Sequence, residues 1–193
     1  MTTAVAQTTP RKVLADLLPA SRVRDIALVA GGAALTGLAA QIAIPVPGSP
    51  VPVTGQTFAA LLVGTALGAG RGLASLALYA LLGLAGLPWF AGGSAGATAS
   101  FGYILGMLLA ATVVGALARR GADRSVVRMA GAMLLGEAII YAIGVPYLAV
   151  VADLTTAQAV AAGLTPFLIG DALKAALAMG VLPAVWKLVE RES

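Results

Sequence analysis

The chain has 193 residues, 60 % of them apolar before glycine is counted, and its 12 basic and 8 acidic side chains make up only 10 % of it. A soluble domain is about 45–50 % apolar with glycine included and about 25 % charged, and one of this size buries only about 70 % of its unfolded surface, so the composition predicts a protein solvated by the bilayer. With no cysteine and no histidine, the chain is predicted to have no disulfide, no thiolate or imidazole metal site and no Ser–His or Cys nucleophile.

Along the chain, Arg11, Lys12, Arg22 and Arg24 are interspersed with Asp16 and Asp25, and no apolar run begins before residue 26. This predicts a charged N-terminal segment (residues 1–24) that is not a secretory signal. Set against the ~20 residues that cross hydrocarbon, the apolar runs that follow predict one all-α membrane domain over residues 25–190. Its six transmembrane helices fall at about 25–44, 56–69, 72–87, 101–118, 126–150 and 166–189. Span 1 carries the small-residue pairs Ala27/Gly31, Ala30/Ala34 and Ala33/Gly37, which let another helix approach closely, either inside the bundle or from a separate membrane protein. Spans 2 and 3 are divided by Gly70-Arg71-Gly72, which predicts a tight turn. Before span 2, Pro45 to Pro52 places four prolines in eight positions, predicting a stiff extended path. After span 3, Pro88-Trp89-Phe90 leads into a glycine-rich stretch through Gly96. These loops read either as ordinary re-entry hairpins, with Trp89 as an interfacial anchor, or as a lid over an outward-facing pocket.

Eleven of the twelve basic residues precede span 1, lie at the C-terminal end with Lys187 and Arg191, or cluster at the 2–3 and 4–5 connections, and the connections 45–55, 88–100 and 151–165 hold none. The positive-inside rule therefore predicts that both termini are cytoplasmic, and the net charge of +4 reflects topology rather than affinity for nucleic acid. The glycine-rich segment lacks the G-x-x-x-x-G-K-[ST] pattern. No nucleotide site or other cofactor site is expected, so uphill transport would draw on a partner or a coupled ion.

The twelfth basic residue is the informative one. Thr165-Pro166 reads as a helix start, Thr as N-cap and Pro in the first turn. Asp171 then lies about 7–8 Å and Lys174 about 12 Å along span 6 from its outer end. Their i, i+3 spacing puts them on one face, and each charge at mid-helix costs about 2.5–3.5 kcal/mol, so both are expected to face the protein interior or a cavity. They read as a self-neutralising ion pair or as the polar floor of a substrate site. Glu137 in span 5 is a second ionisable group in the membrane, either a protonated structural carboxyl or part of the site. Tyr103 and Tyr147, near the outer ends of spans 4 and 5, offer an apolar wall and one hydrogen bond or belong to the aromatic belt. Tyr79 needs a buried partner, and Gln56 is a polar residue at an outer helix start.

Pro45-Val-Pro-Gly-Ser-Pro-Val-Pro-Val-Thr-Gly-Gln-Thr-Phe58, Leu78-Tyr79, Gly86-Leu-Pro88-Trp-Phe-Ala-Gly-Gly93, Phe101-Gly-Tyr-Ile-Leu-Gly106, Gly144-Val-Pro-Tyr147 and Pro166-Phe-Leu-Ile-Gly-Asp171-Ala-Leu-Lys174 together resemble the BioY family, the biotin-binding substrate (S) components of energy-coupling-factor (ECF) transporters. The likeness runs from about residue 26 to 189. It departs from the family pattern at Ile169 and near Ala97, where proline is expected, and at Tyr147, where tryptophan is frequent. The resemblance implies a six-helix plasma-membrane protein, not an enzyme, that binds biotin from outside under the proline-rich loop. Asp171 and Lys174 would contact its polar groups, and Thr54, Gln56, Tyr103, Gly93 and Ser94 would line the pocket. It also implies a transmembrane T component and cytoplasmic ATPase subunits as partners, with Ala27, Ala30, Gly31 and Ala34 of span 1 as the docking surface. The alternatives are an S component for another vitamin, a stand-alone facilitator or channel, and a membrane enzyme using Ser–Lys chemistry, for which Ser94 and Ser100 have no evident base.

Overall fold

The computed structural model describes residues 11–192; the first ten residues of the expected N-terminal segment lie outside them. It is an all-α six-helix bundle. Helices α1 (Arg22–Ala40), α2 (Gln56–Leu67), α3 (Ala69–Leu84), α4 (Phe101–Ala118) and α5 (Val126–Val151) are followed by a short α6 (Thr156–Gly163) and the closing α7 (Leu168–Glu192). Among the described residues, four stretches are long and apolar enough to cross a bilayer: α1, α4, α5 and the run Thr156–Arg191 that carries α6 and α7. At 12 and 16 residues, α2 and α3 span only about 18 and 24 Å.

Helix α4 is the central post. It packs against α2, α3 and α5, while α1 lies on α3 and α2, and α7 on α5. Glycine allows this closeness: a Cβ at Gly106 of α4 would sit 2.7 Å from Ile140 Cα and 2.8 Å from Ile140 O of α5, so the two backbones touch. The α4–α5 seam is further interlocked by Tyr103 lying over Gly144 and Tyr147 over Gly102.

Two boundaries differ from the sequence expectation. The break between α2 and α3 is at Gly68, not at Gly70-Arg71-Gly72. Gly68 alone takes a left-handed backbone (φ +83°) there, which only glycine adopts without penalty, and Arg71 sits inside the first turn of α3. Thr165 is not an N-cap either. The stretch Thr165–Phe167 is a 3-10 turn ahead of α7, and the Thr165 hydroxyl donates back to the Val160 carbonyl (3.3 Å). Helix α6 itself is an addition to the expected loop 151–165. Thr155 and Gln158 form a reciprocal capping box that starts it.

The proline loop is pinned at its base by a two-residue antiparallel pairing of β1 (Ala43–Ile44) with β2 (Val53–Thr54), in register Ala43↔Thr54 and Ile44↔Val53. In the following loop, half-buried Trp89 is turned inward against α3 and α1. Its indole N–H donates to the Tyr79 carbonyl (3.0 Å), its ring fills the space left by Gly37 of α1, and Phe90 beside it is fully buried.

At the arginine-rich end the polar groups are knitted together. Asp16 accepts from Arg71 (2.9 Å) and Arg119 (3.1 Å), holding the Leu14–Leu17 turn against the bundle, with Val13 and Ala15 buried. Arg124 pairs with Glu190 and lies over the Trp186 ring, and the Trp186 indole donates to Asp123 (2.5 Å), fastening the 4–5 turn to α7. Burial alone would raise the Asp16 pKa. The hydrogen bonds from Arg71 and the Val13 N–H, with the charges of Arg119 and Arg71, overcome this and hold the carboxyl below its ordinary value of 3.8. A folded pKa below the unfolded one gives stability that is complete above the ordinary value and is lost as pH falls through the lower folded value. Melting temperatures measured from neutral to below about pH 4 should therefore drop more steeply for the wild type than for Asp16→Asn, which starts lower at neutral pH; parallel curves would contradict the role of this cluster.

Candidate functional site

At the opposite end, the proline loop, α2, α4, α5 and α7 converge on a small cavity of about 20 Å³. Thr54 and Gln56 enter it from the loop base and the first residue of α2, Tyr103 from α4, Tyr141 from α5 and Lys174 from α7. Asp171, only 7 % exposed, stands at its edge. One carboxylate oxygen accepts from Lys174 Nζ (2.9 Å) and the other from the Tyr141 hydroxyl. Lys174 also donates to Thr57 Oγ1 (2.9 Å). The pair is thus cross-braced from α2 and α5. A buried ion pair is tolerable when further hydrogen bonds satisfy its remaining atoms, and here they come from two other helices.

Aromatic side chains form the walls. Phe167 stacks on Tyr103 with centroids 6.4 Å apart, and Tyr141 meets Tyr103 edge-on at 6.3 Å. The Tyr103 hydroxyl donates to the Gly163 carbonyl (2.7 Å), tying the end of α6 to α4. Gln56 Oε1 accepts from Tyr79 (2.9 Å), which is the buried partner that Tyr79 requires. The result is an apolar, aromatic box with a charged floor. It can hold a ring against the tyrosines while presenting one acceptor and one cationic donor to the ligand's polar groups.

Five of the seven expected site residues, Asp171, Lys174, Tyr103, Gln56 and Thr54, come together here. Gly93 and Ser94 do not line the cavity. They close the turn after Phe90, where the Ser94 hydroxyl donates to the Ala91 carbonyl (2.9 Å), and their tight local turn keeps them away from α7. Thr57 and Tyr141 were not among the expected residues. A signal for each was present: Thr57 extends the polar start of α2, and Tyr141 lies one helical turn beyond Glu137. A larger cleft of about 530 Å³ lies between the proline loop (Val46 to Pro50) and α6. No charged side chain among the described residues lines it, so the polar site is the inner cavity, and the same loop lines both.

The small residues of α1 divide between two faces. Ala33 and Gly37 are buried inside the bundle, whereas Ala27, Ala30, Gly31 and Ala34 are exposed. Ala27 and Gly31 border an apolar groove between α1 and α2.

The sequence matches the BioY family over residues 8–191. Among similar proteins, the biotin transporter BioY2 of Lactococcus lactis is 34 % identical over 160 residues, covering 81 % of this chain and 87 % of that protein. The probable biotin transporter BioY of Pyrococcus horikoshii is 35 % identical over 158 residues, covering 82 % and 93 %. In fold, the chain is similar to the crystal structure of the S-component for biotin from an ECF-type ABC transporter, with a TM-score of 0.77 over 88 % of this chain and 95 % of that one, at 23 % identity.

Proposed function

Because this chain belongs to the BioY family, we propose that it captures biotin outside the cell, as the substrate component of an ECF-type transporter in the plasma membrane. The observation that carries this reading is the Asp171–Lys174 pair, held at the floor of an aromatic box by Tyr141 and Thr57. Biotin combines a ureido group with two N–H donors and a carbonyl, an apolar thioether ring, an aliphatic arm and a carboxylate. Asp171 accepts a ureido N–H. Lys174 donates to the ureido oxygen or to the carboxylate, and Tyr103, with Thr54 and Gln56 beside it, receives the rings. Gly93 and Ser94 act in the second loop covering the site rather than in its wall.

A 20 Å³ cavity holds about one water, too little for biotin, so biotin enters when the proline loop swings away. Val51 and Pro52 of that loop wall the inner cavity, while its outer part walls the open cleft. This suits it to act as the lid. Residues 25–190 form the membrane domain and residues 1–24 a cytoplasmic segment. Both termini and the arginine-rich end face the cytoplasm, since eleven of twelve basic residues lie on that side. Ala27, Ala30, Gly31 and Ala34 present a backbone-close surface to the T component, and ATP hydrolysis is supplied by the ATPase subunits bound to it.

Mass identification of the ligand retained through purification tests the substrate: biotin supports the reading, and a different vitamin overturns it. Reconstitution into liposomes without ATPase subunits tests the mode, because the substrate-component reading predicts binding with little flux and a facilitator would give rapid flux. Tyr141→Phe removes a hydrogen bond to a buried charged group, worth about 1.5–3 kcal/mol, so it should lower the melting temperature and also weaken biotin binding, because Asp171 is no longer held in place. Equal affinities in the two proteins would remove Tyr141 from the site.

A further inference from the structure

One carboxyl near the capture site has no partner in it. Glu137 of α5 is 9 % exposed, and its Oε2 is fully buried without a hydrogen-bond partner among the described residues. It borders a second cavity of about 270 Å³ between α5 and α7, which it shares with Tyr141 and Asp171 among apolar walls such as Met133, Leu134 and Ala172. The Tyr141 hydroxyl is already given to Asp171, and so is the Lys174 ammonium. Asp171 and Lys174 neutralise each other, so the cluster contains two carboxyls for one ammonium.

We propose that Glu137 is the proton-carrying group of the site, so that capture of a carboxylate-bearing ligand takes up one proton from solvent. The proposal rests on the capture reading above. When the ligand brings its carboxylate into the buried site, an ionised Glu137 would leave the site with two uncompensated negative charges at membrane depth; a proton on the Glu137 carboxylate leaves one. Uncompensated charge at that depth is what the membrane penalises most. Among the described residues, the charged groups nearest it are Asp171, which borders the same cavity, and Lys174, which is bonded to Asp171. Tyr141 stands one turn along α5, with Tyr103 of α4 behind it. Helices α2 and α6 contribute no ionisable side chain, and Asp123 and Arg124 lie in the turn at the far end of α5. Glu137 is therefore the carboxyl free to change its proton without breaking an existing hydrogen bond among the described residues. Such a linkage favours capture when the outside is acidic and release where the pH is higher.

Calorimetric titration of the full-length, detergent-purified chain in two buffers of different protonation enthalpy, from about pH 6 to 9, counts the protons. Wild type should take up as much as one proton per biotin in the upper part of this range, with Kd rising by up to tenfold per pH unit there. Glu137→Gln should bind biotin with the buffer dependence and the pH slope both lost. Biotin amide, which lacks the negative charge, should bind wild type without proton uptake. Wild-type binding of biotin with no buffer dependence at any pH overturns the proposal, as does undiminished uptake in Glu137→Gln. Should that variant not fold, the biotin and biotin amide titrations of wild type decide alone, and equal uptake with both ligands overturns it. Failure of wild type to bind biotin at any pH overturns the capture reading, and the linkage with it.

Discussion

Asp171→Ala should weaken biotin binding by about 2–5 kcal/mol, or roughly thirtyfold to a few thousandfold, as expected when one partner of a buried, hydrogen-bonded charge pair is removed. Two effects add. The ligand's ureido N–H loses its acceptor, and Lys174 is left at membrane depth with only the Thr57 hydroxyl. Stability should respond differently from binding. A single truncation strands one buried charge, whereas Asp171→Ala combined with Lys174→Met removes both, and replacing a buried pair by apolar groups is often neutral or stabilising. The double variant should thus melt higher than Asp171→Ala while binding no better. Isothermal titration and thermal unfolding in one detergent separate the two readouts. Undiminished binding by Asp171→Ala would remove this residue from the site.

The second large effect is on the fold. A leucine at Gly106 must push against the Ile140 backbone, which lies within 3 Å of where its Cβ would be. Overpacking against side chains costs about 1–3 kcal/mol; here backbone must move, so Gly106→Leu should cost about 3 kcal/mol or more and reduce the yield of monodisperse protein. Tyr103 lies one turn earlier on the same helix, so opening the α4–α5 seam also displaces a wall of the ligand cavity. Gly131 of α5 is the control. It is exposed and no atom of the described residues lies within 4 Å of its Cβ position, so Gly131→Leu should leave size-exclusion behaviour and melting temperature close to wild type. Equal behaviour of the two leucine variants would contradict the packing account.

The bundle was legible from sequence because hydropathy and basic-residue placement are properties of whole segments. All six spans lie within a few residues of the helices, and Asp171 and Lys174 could be paired because their contact is local, three residues apart on one helix. The brace across helices was not legible. The Tyr141–Asp171 and Lys174–Thr57 bonds depend on the rotation of α5 and α2 about their axes, which low amphipathicity in a lipid-facing bundle leaves undetermined. The same reason hid the division of the α1 small residues into a buried Ala33/Gly37 pair and an exposed Ala27/Gly31 face. Helix α6 could have been found, since Thr155-x-x-Gln158 is a capping box ahead of an alanine-rich run; absence of charge alone suggested a loop. The α2–α3 break was placed two residues late because all three nearby glycines can turn a chain, and only the packing of α2 on α3 selects Gly68.

Calorimetric titration of the purified wild-type chain with biotin tests the account most directly. The Asp171–Lys174 floor beneath the aromatic box predicts saturable, one-to-one binding with a matching rise in melting temperature, both lost in Asp171→Ala. The absence of heat and of any thermal shift with biotin would contradict it.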